Sequence, residues 1–163
     1  MVGERQEQVE VGIAQLAAAV APTRLVSYSL GSCVAVVLYH RRTHVGGMAH
    51  VMLPQSDSAP PDLPAKFGNQ ALEPLIASME GLGADRRYLV AKVAGGASLF
   101  GAQNGGAPTM DERNVAAVKE SLARARIRVL AEDTGGDFAR TVTLSTKDGV
   151  LRVRTFKHGE YEI

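Results

Sequence analysis

The sequence predicts an α/β (α+β) protein, a mixed β-sheet with two main helices packed on it. Three observations lead there. Short, β-branched apolar runs outnumber helical patterns along the chain. Hairpin-like turns fall toward both ends. Only two stretches place apolar residues at helical spacing, and start or stop signals mark their ends. The 163 residues suit one domain, 1–163. A chain of this length buries roughly two thirds of its unfolded surface, enough for a core without staples.

Taken in order, "VEVGIAQLAAAV" (residues 9–20) reads as a strand, or as a strand followed by a helical turn. "VAVVLY" (34–39) is β-branched and apolar, with Gly and Ser before it and polar residues after. "VGGMAHVML" is a second strand, loosened by Gly46 and Gly47. "SDSAPPDLP" is a loop. A helix is expected over about residues 65–82, where Leu72, Leu75, Ile76 and Met79 recur at helical spacing and Gly81 and Gly83 mark the stop. "RRYLVAKVA" is a strand, and "GGASLFGAQNGGAP" is a glycine-rich loop. Thr109 with Glu112 forms a capping-box pattern that opens a second helix, striped by Val115, Val118 and Leu122. "RIRVLAED", "RTVTLST" and "VLRVRTF" are three further strands, turned at "TGGD" and "KDG".

Composition excludes several classes. Apolar residues make up 45% and charged residues 21%, which is a globular balance. A formal net charge of +1 gives no electrostatic case for nucleic acid or an anionic membrane surface. Trp is absent, so base-stacking platforms are not expected. The longest apolar run near the N-terminus, residues 16–21, is too short for a signal peptide or a membrane span. A single cysteine allows no internal disulfide and no CxxC metal site. Its free thiol fits a reducing compartment, hence the cytoplasm.

That cysteine, Cys33, opens the strand at residues 34–39; His50 lies on the next strand. A lone Cys in such a place is ordinarily a small core residue. A hairpin symmetric about the Arg41–Arg42 bond, however, would pair Tyr39 with His44, Val37 with Gly46 and Cys33 with His50. Opposed residues share a face with Cβ atoms roughly 4.5–5.5 Å apart, within reach of a thiol–imidazole pair. A one-residue slip or a bulge at Gly46–Gly47 would break that pairing. Gly31 permits a sharp turn before the thiol, and backbone N–H groups at Ser32 and Cys33 could hold an oxyanion. A neighbouring imidazolium would lower the Cys33 pKa. Ser27 and Ser29 are both candidates to orient His50, and spacing does not choose between them. A metal site on His40, His44 and His50 is not favoured, because no carboxylate is near. The glycine-rich loop lacks GK[ST] and GxGxxG, so nucleotide binding is not expected. Glu132 and Asp133 read as residues that end a strand.

"LGSCVAVVLY…VGGMAHVMLP" resembles the signature of the chemoreceptor glutamine deamidases, the CheD family. "AKVAGGASLF", "DERNVAAVKESL" and "RIRVLAEDTGGDFARTV" are similar to that family's later blocks, in order and at similar spacing. The resemblance implies a cysteine hydrolase that converts receptor glutamine to glutamate, with its mixed β-sheet folded as an α/β sandwich similar to the catalytic domain of the deamidating cytotoxins. It implies Cys33 as nucleophile, His50 as base, and a hydroxyl residue six positions before the cysteine as the third member. The family usually has Thr there; this chain has Ser27. It implies no organic cofactor and no metal. The partners it implies are the cytoplasmic helices of methyl-accepting receptors, and a CheC-type phosphatase that competes for the same surface. Two other readings are a glutamate methylesterase using the same thiolate, and a non-catalytic adaptor that binds receptors or the phosphatase.

Overall fold

The computed structural model describes residues 6–58, 60–101 and 105–163. The strands among them are β1 (Gln8–Glu10), β2 (Leu16–Val20), β3 (Arg24–Leu30), β4 (Val34–His40), β5 (Val45–Val51), β6 (Val90–Gly95), β7 (Arg128–Thr134), β8 (Arg140–Ser145), β9 (Leu151–Thr155) and β10 (Gly159–Glu162). The helices are α1 (Leu72–Glu80) and α2 (Met110–Arg124). The strands form two five-stranded sheets, ordered β1-β3-β8-β9-β10 and β2-β5-β4-β6-β7. Each sheet is mixed, with β1 parallel to β3 and β6 parallel to β7. The α+β sandwich with two helices expected from the sequence is therefore the observed architecture.

Three layers follow from strand alternation. On β4, Val34, Val36 and Leu38 face one way, and Ala35 and Val37 the other. The first set packs with Leu75, Ile76 and Met79 of α1 and Val118 and Leu122 of α2. The second set meets Leu25, Val142, Leu144 and Leu151 of the other sheet. All seven residues of β4 and all seven of β5 are buried. That burial on both faces explains why both strands read as nearly continuous apolar runs rather than alternating ones.

Some elements differ from expectation. Residues 16–20 are strand rather than helical turn, because they pair along the open edge of β5. Helix α1 starts at Leu72, not near residue 65. The preceding residues are spent closing the long loop: Leu53 bridges Phe67, and the Asn69 side chain both accepts from the Ser56 amide and donates to the Ser56 carbonyl. Strand β3 has no clean alternation, and neither it nor β10 was expected. Arg86–Tyr88 is a 3₁₀ turn leading into β6. Thr109 does stand at the N-cap of α2, but its side chain makes no capping hydrogen bond. The symmetric hairpin is also displaced. Tyr39 pairs with Gly46 and Ala35 with His50, around a four-residue turn in which His40 Nδ1 bonds Thr43 Oγ1 at 2.7 Å and His44 takes a positive φ of 54°.

Candidate active site

The register shift is two residues, so it preserves the face of every side chain. Cys33 and His50 lie on the side of β4 and β5 that meets the other sheet, but as diagonal neighbours rather than opposed ones. No hydrogen bond joins the thiol to the imidazole among the described residues.

Gly31, Ser32 and Cys33 form the link from β3 to β4. Their three carbonyls are held by three different donors. Ala97 N–H donates to Gly31 O at 2.8 Å, Asn114 Nδ2 to Ser32 O at 2.9 Å, and Gly96 N–H to Cys33 O at 2.9 Å. The amides of Ser32 and Cys33 have no acceptor among the described residues. Gly95 makes the close approach possible: at φ of +115°, a Cβ there would collide with the Cys33 carbonyl. Cys33 itself is half-buried and opens onto a cleft of about 460 Å³ shared with Ser98, Leu99, Phe100, Thr109 and Asp111. Phe100 is 97% exposed at its rim. Residues 102–104 of the glycine-rich loop lie outside the described residues.

His50 is held on three sides by the segment that crosses from β1 to β2. Its N–H donates to Gln15 O at 2.9 Å, its carbonyl accepts from Ala14 N–H at 2.9 Å, and Nδ1 lies 3.2 Å from Val11 O. A carbonyl can only accept, so neutral His50 carries its proton on Nδ1 and leaves the Nε2 lone pair free. Ser27 Oγ donates to the same Val11 carbonyl at 2.7 Å and makes no hydrogen bond to His50. The group that orients the imidazole is thus a backbone carbonyl, with Ser27 behind it. Ser29 is exposed on β3, and its amide donates to Thr141 Oγ1. The sequence reading missed Val11 as an orienting group; a main-chain acceptor leaves no mark in residue identity.

Burial pushes the Cys33 thiol pKa up. Burial also pushes the His50 pKa down, opposed in part by its bond to Val11 O. The resting pair is therefore neutral thiol and neutral imidazole. The lowered cysteine pKa expected from an adjacent imidazolium is not what these surroundings produce, because desolvation disfavours both charged forms.

Asp133 does more than end a strand. It pairs with Arg140, whose side chain is 1% exposed, and it accepts from Tyr161 Oη. Arg140 Nη1 donates to Gly135 O at 2.9 Å, and Gly135 N–H donates to Gly95 O at 3.1 Å. This network anchors the end of β6 that holds the Cys33 carbonyl. Glu132 pairs with Lys119 on the surface.

An α+β sandwich that presents a thiol and an oriented imidazole on one face, with a cleft over the thiol, has the build of a cysteine-type hydrolase. Comparison with known proteins narrows the class. The sequence profile of the family described as "CheD chemotactic sensory transduction" matches residues 52–155. Relatives named "Probable chemoreceptor glutamine deamidase CheD" extend the likeness across the Cys33–His50 hairpin. The protein from Clostridium botulinum (strain Eklund 17B / Type B) is 39% identical over 96% of this chain and 98% of its own length. That from Clostridium novyi (strain NT) is 40% identical over 94% and 96%. That from Methanococcus maripaludis (strain C6 / ATCC BAA-1332) is 46% identical over 77% and 80%. The chain belongs to the CheD family. Among solved structures, the C-terminal domain of CNFy from Yersinia pseudotuberculosis matches 96% of this chain and 61% of its own, with 11% identity and a TM-score of 0.43.

Proposed function

We propose that this protein is a protein-glutamine deamidase acting on the cytoplasmic helices of methyl-accepting chemotaxis receptors, with Cys33 as nucleophile and His50 as general base and acid. The observation that carries this reading is the pairing of a held Nδ1–H tautomer at His50 with a thiol on the same sheet face. Nε2 takes the thiol proton as Sγ attacks the side-chain carboxamide carbon. The carbonyl π electrons move onto oxygen, which the amides of Ser32 and Cys33 receive. Imidazolium then returns its proton to the departing nitrogen, the C–N bond breaks, and ammonia leaves a thioester. Nε2 next activates water. Hydrolysis gives glutamate and restores the thiol. Each turnover replaces a neutral side chain by a carboxylate and so changes the charge on a receptor helix. Every proton transfer in this sequence uses a group of this chain.

The reading places the protein in the cytoplasm, where those receptor helices lie, and makes a CheC-type phosphatase a competing partner. The neutral resting pair favours amide chemistry through general-base attack over a standing thiolate. Methylesterase and adaptor roles are the alternatives that one experiment separates. The protein is incubated with a receptor cytoplasmic fragment, and ammonia and peptide masses are measured. Deamidation releases ammonia and leaves glutamate at specific glutamines; ester hydrolysis releases methanol from methylated glutamates. Cys33→Ala abolishes ammonia release while leaving receptor binding intact. Full deamidation by Cys33→Ala would overturn the mechanism, and receptor binding without chemistry in the wild type would leave the adaptor.

A further inference from the structure

We infer that Asn114 is a positioning residue for the reaction: its side-chain amide fixes the peptide plane that aims the Cys33 N–H at the substrate oxyanion. This rests on the hydrolase reading of Cys33. Asn114 lies one turn into α2 and is fully buried. Its Nδ2 donates to Ser32 O at 2.9 Å and to Met52 O at 3.1 Å. Ser32 immediately precedes the thiol, and Met52 lies two residues beyond His50. One side chain therefore ties the nucleophile's turn to the end of the base's strand, from a helix that belongs to neither.

The orientation of that amide is dictated by its partners. Two carbonyls can be satisfied only by N–H, so Oδ1 must face elsewhere, and it is buried with no partner among the described residues. In a trans peptide, the carbonyl of one residue and the N–H of the next lie antiparallel in one plane. Holding the Ser32 carbonyl toward α2 therefore turns the Cys33 N–H the opposite way, and that N–H has no acceptor. Ala97 N–H fixes the Gly31–Ser32 plane in the same manner. Of the two donors, Asn114 is the one a side-chain substitution can remove.

The test compares three variants in the full chain. Asn114→Ala deletes the donor, and Asn114→Asp keeps the volume but has no N–H. Ser121→Ala removes a matched buried bond on the same helix, from Oγ to Gly68 O at 2.9 Å, far from the thiol. Three rates are measured: deamidation of a receptor fragment, acylation by p-nitrophenyl acetate, and alkylation by iodoacetamide. Acylation develops an oxyanion and alkylation does not. Loss of an oxyanion donor costs about 10²- to 10³-fold in kcat. Both Asn114 variants should lose about that much in deamidation and in acylation, with KM and alkylation changed by only a few-fold. Ser121→Ala should keep all three rates. Equal loss of acylation and alkylation would assign Asn114 to the fold alone, as would failure of both variants to fold while Ser121→Ala folds. Unchanged acylation would also overturn the inference. If wild type is acylated by the ester but releases no ammonia from receptor, the deamidase reading fails, and the ester data still decide the role of Asn114.

Discussion

His50 and Cys33 are each held neutral by burial, and that has consequences in pH. Alkylation of Cys33 should titrate above the ordinary thiol value of 9.0, because desolvation raises its pKa. A midpoint below that of free cysteine would mean a standing thiolate–imidazolium pair and would contradict this geometry. For His50 the folded pKa lies below the unfolded 6.5. The unfolded chain therefore binds the proton first. His50's contribution is fully present above pH 6.5 and is lost as pH falls from there toward the depressed folded value. Urea midpoints should drop across that window, and less so in His50→Gln. Ser27 acts on the Val11 carbonyl rather than on the imidazole. Removing one such hydrogen bond costs about 1 kcal/mol, so Ser27→Ala should slow kcat roughly 3- to 10-fold, while Ser27→Thr, which keeps the hydroxyl, should stay near wild type. An unaffected Ser27→Ala would detach Ser27 from the site. That Cys33 and His50 share a sheet face was legible in the sequence, because the two-residue slip of the hairpin keeps the face of each side chain. Ser27 and Ser29 stand two apart, where regular alternation would give them one face; the irregularity of β3 between Ser27 and Leu30, with Ser29 at a positive φ of 53°, leaves Ser27 buried and Ser29 exposed, and spacing does not report it.

At the level of elements, β5 shows how closely the layers are fitted. Gly47 lies beneath α1, and a Cβ there would stand 2.7 Å from Met79 Sδ and 2.8 Å from Leu75 Cδ1. Gly47→Ala must push the helix outward, at about 1–3 kcal/mol for an overpacked core. A lowered denaturation midpoint with deamidation retained is the expected result; no change in midpoint would show that α1 moves freely over the sheet. By residue type alone, the Gly46–Gly47 pair marks a loosened strand or a bulge. The structure shows an unbroken ladder in which those glycines make room, Gly46 for Leu144 and Thr146 and Gly47 for the helix. Glycine identity reveals that something approaches closely, not what approaches. The hairpin departs from the symmetric register for a related reason: its turn includes His40 bonding Thr43 and His44 at a positive φ, local choices that apolar patterning does not report.

Over the whole molecule, strand number points to a mixed sheet with helices packed on it and the family resemblance to a sandwich, but neither reports the sheet order. Strands β1 and β2 are neighbours in sequence and belong to different sheets, and pairing by proximity would have joined them. The inter-sheet core joins the two sheets. Leu144→Ala, at a fully buried site in that core, should cost about 2–5 kcal/mol. For a chain of this size that lowers Tm by roughly 5–15 °C, a shift that calorimetry would read directly. A shift under a degree or two would place the core elsewhere. The crossing from β1 to β2 has a different kind of consequence. Strand β1 is three residues long, lies at a sheet edge and pairs only with β3. Short edge elements open at lower free energy than the body of a fold. The carbonyl that sets the His50 tautomer sits one residue beyond that strand. Fraying of the edge would therefore release the His50 imidazole while both cores remain closed. In rising urea, activity should vanish before tertiary signals change, and the amides of residues 8–15 should exchange with deuterium ahead of those in β4.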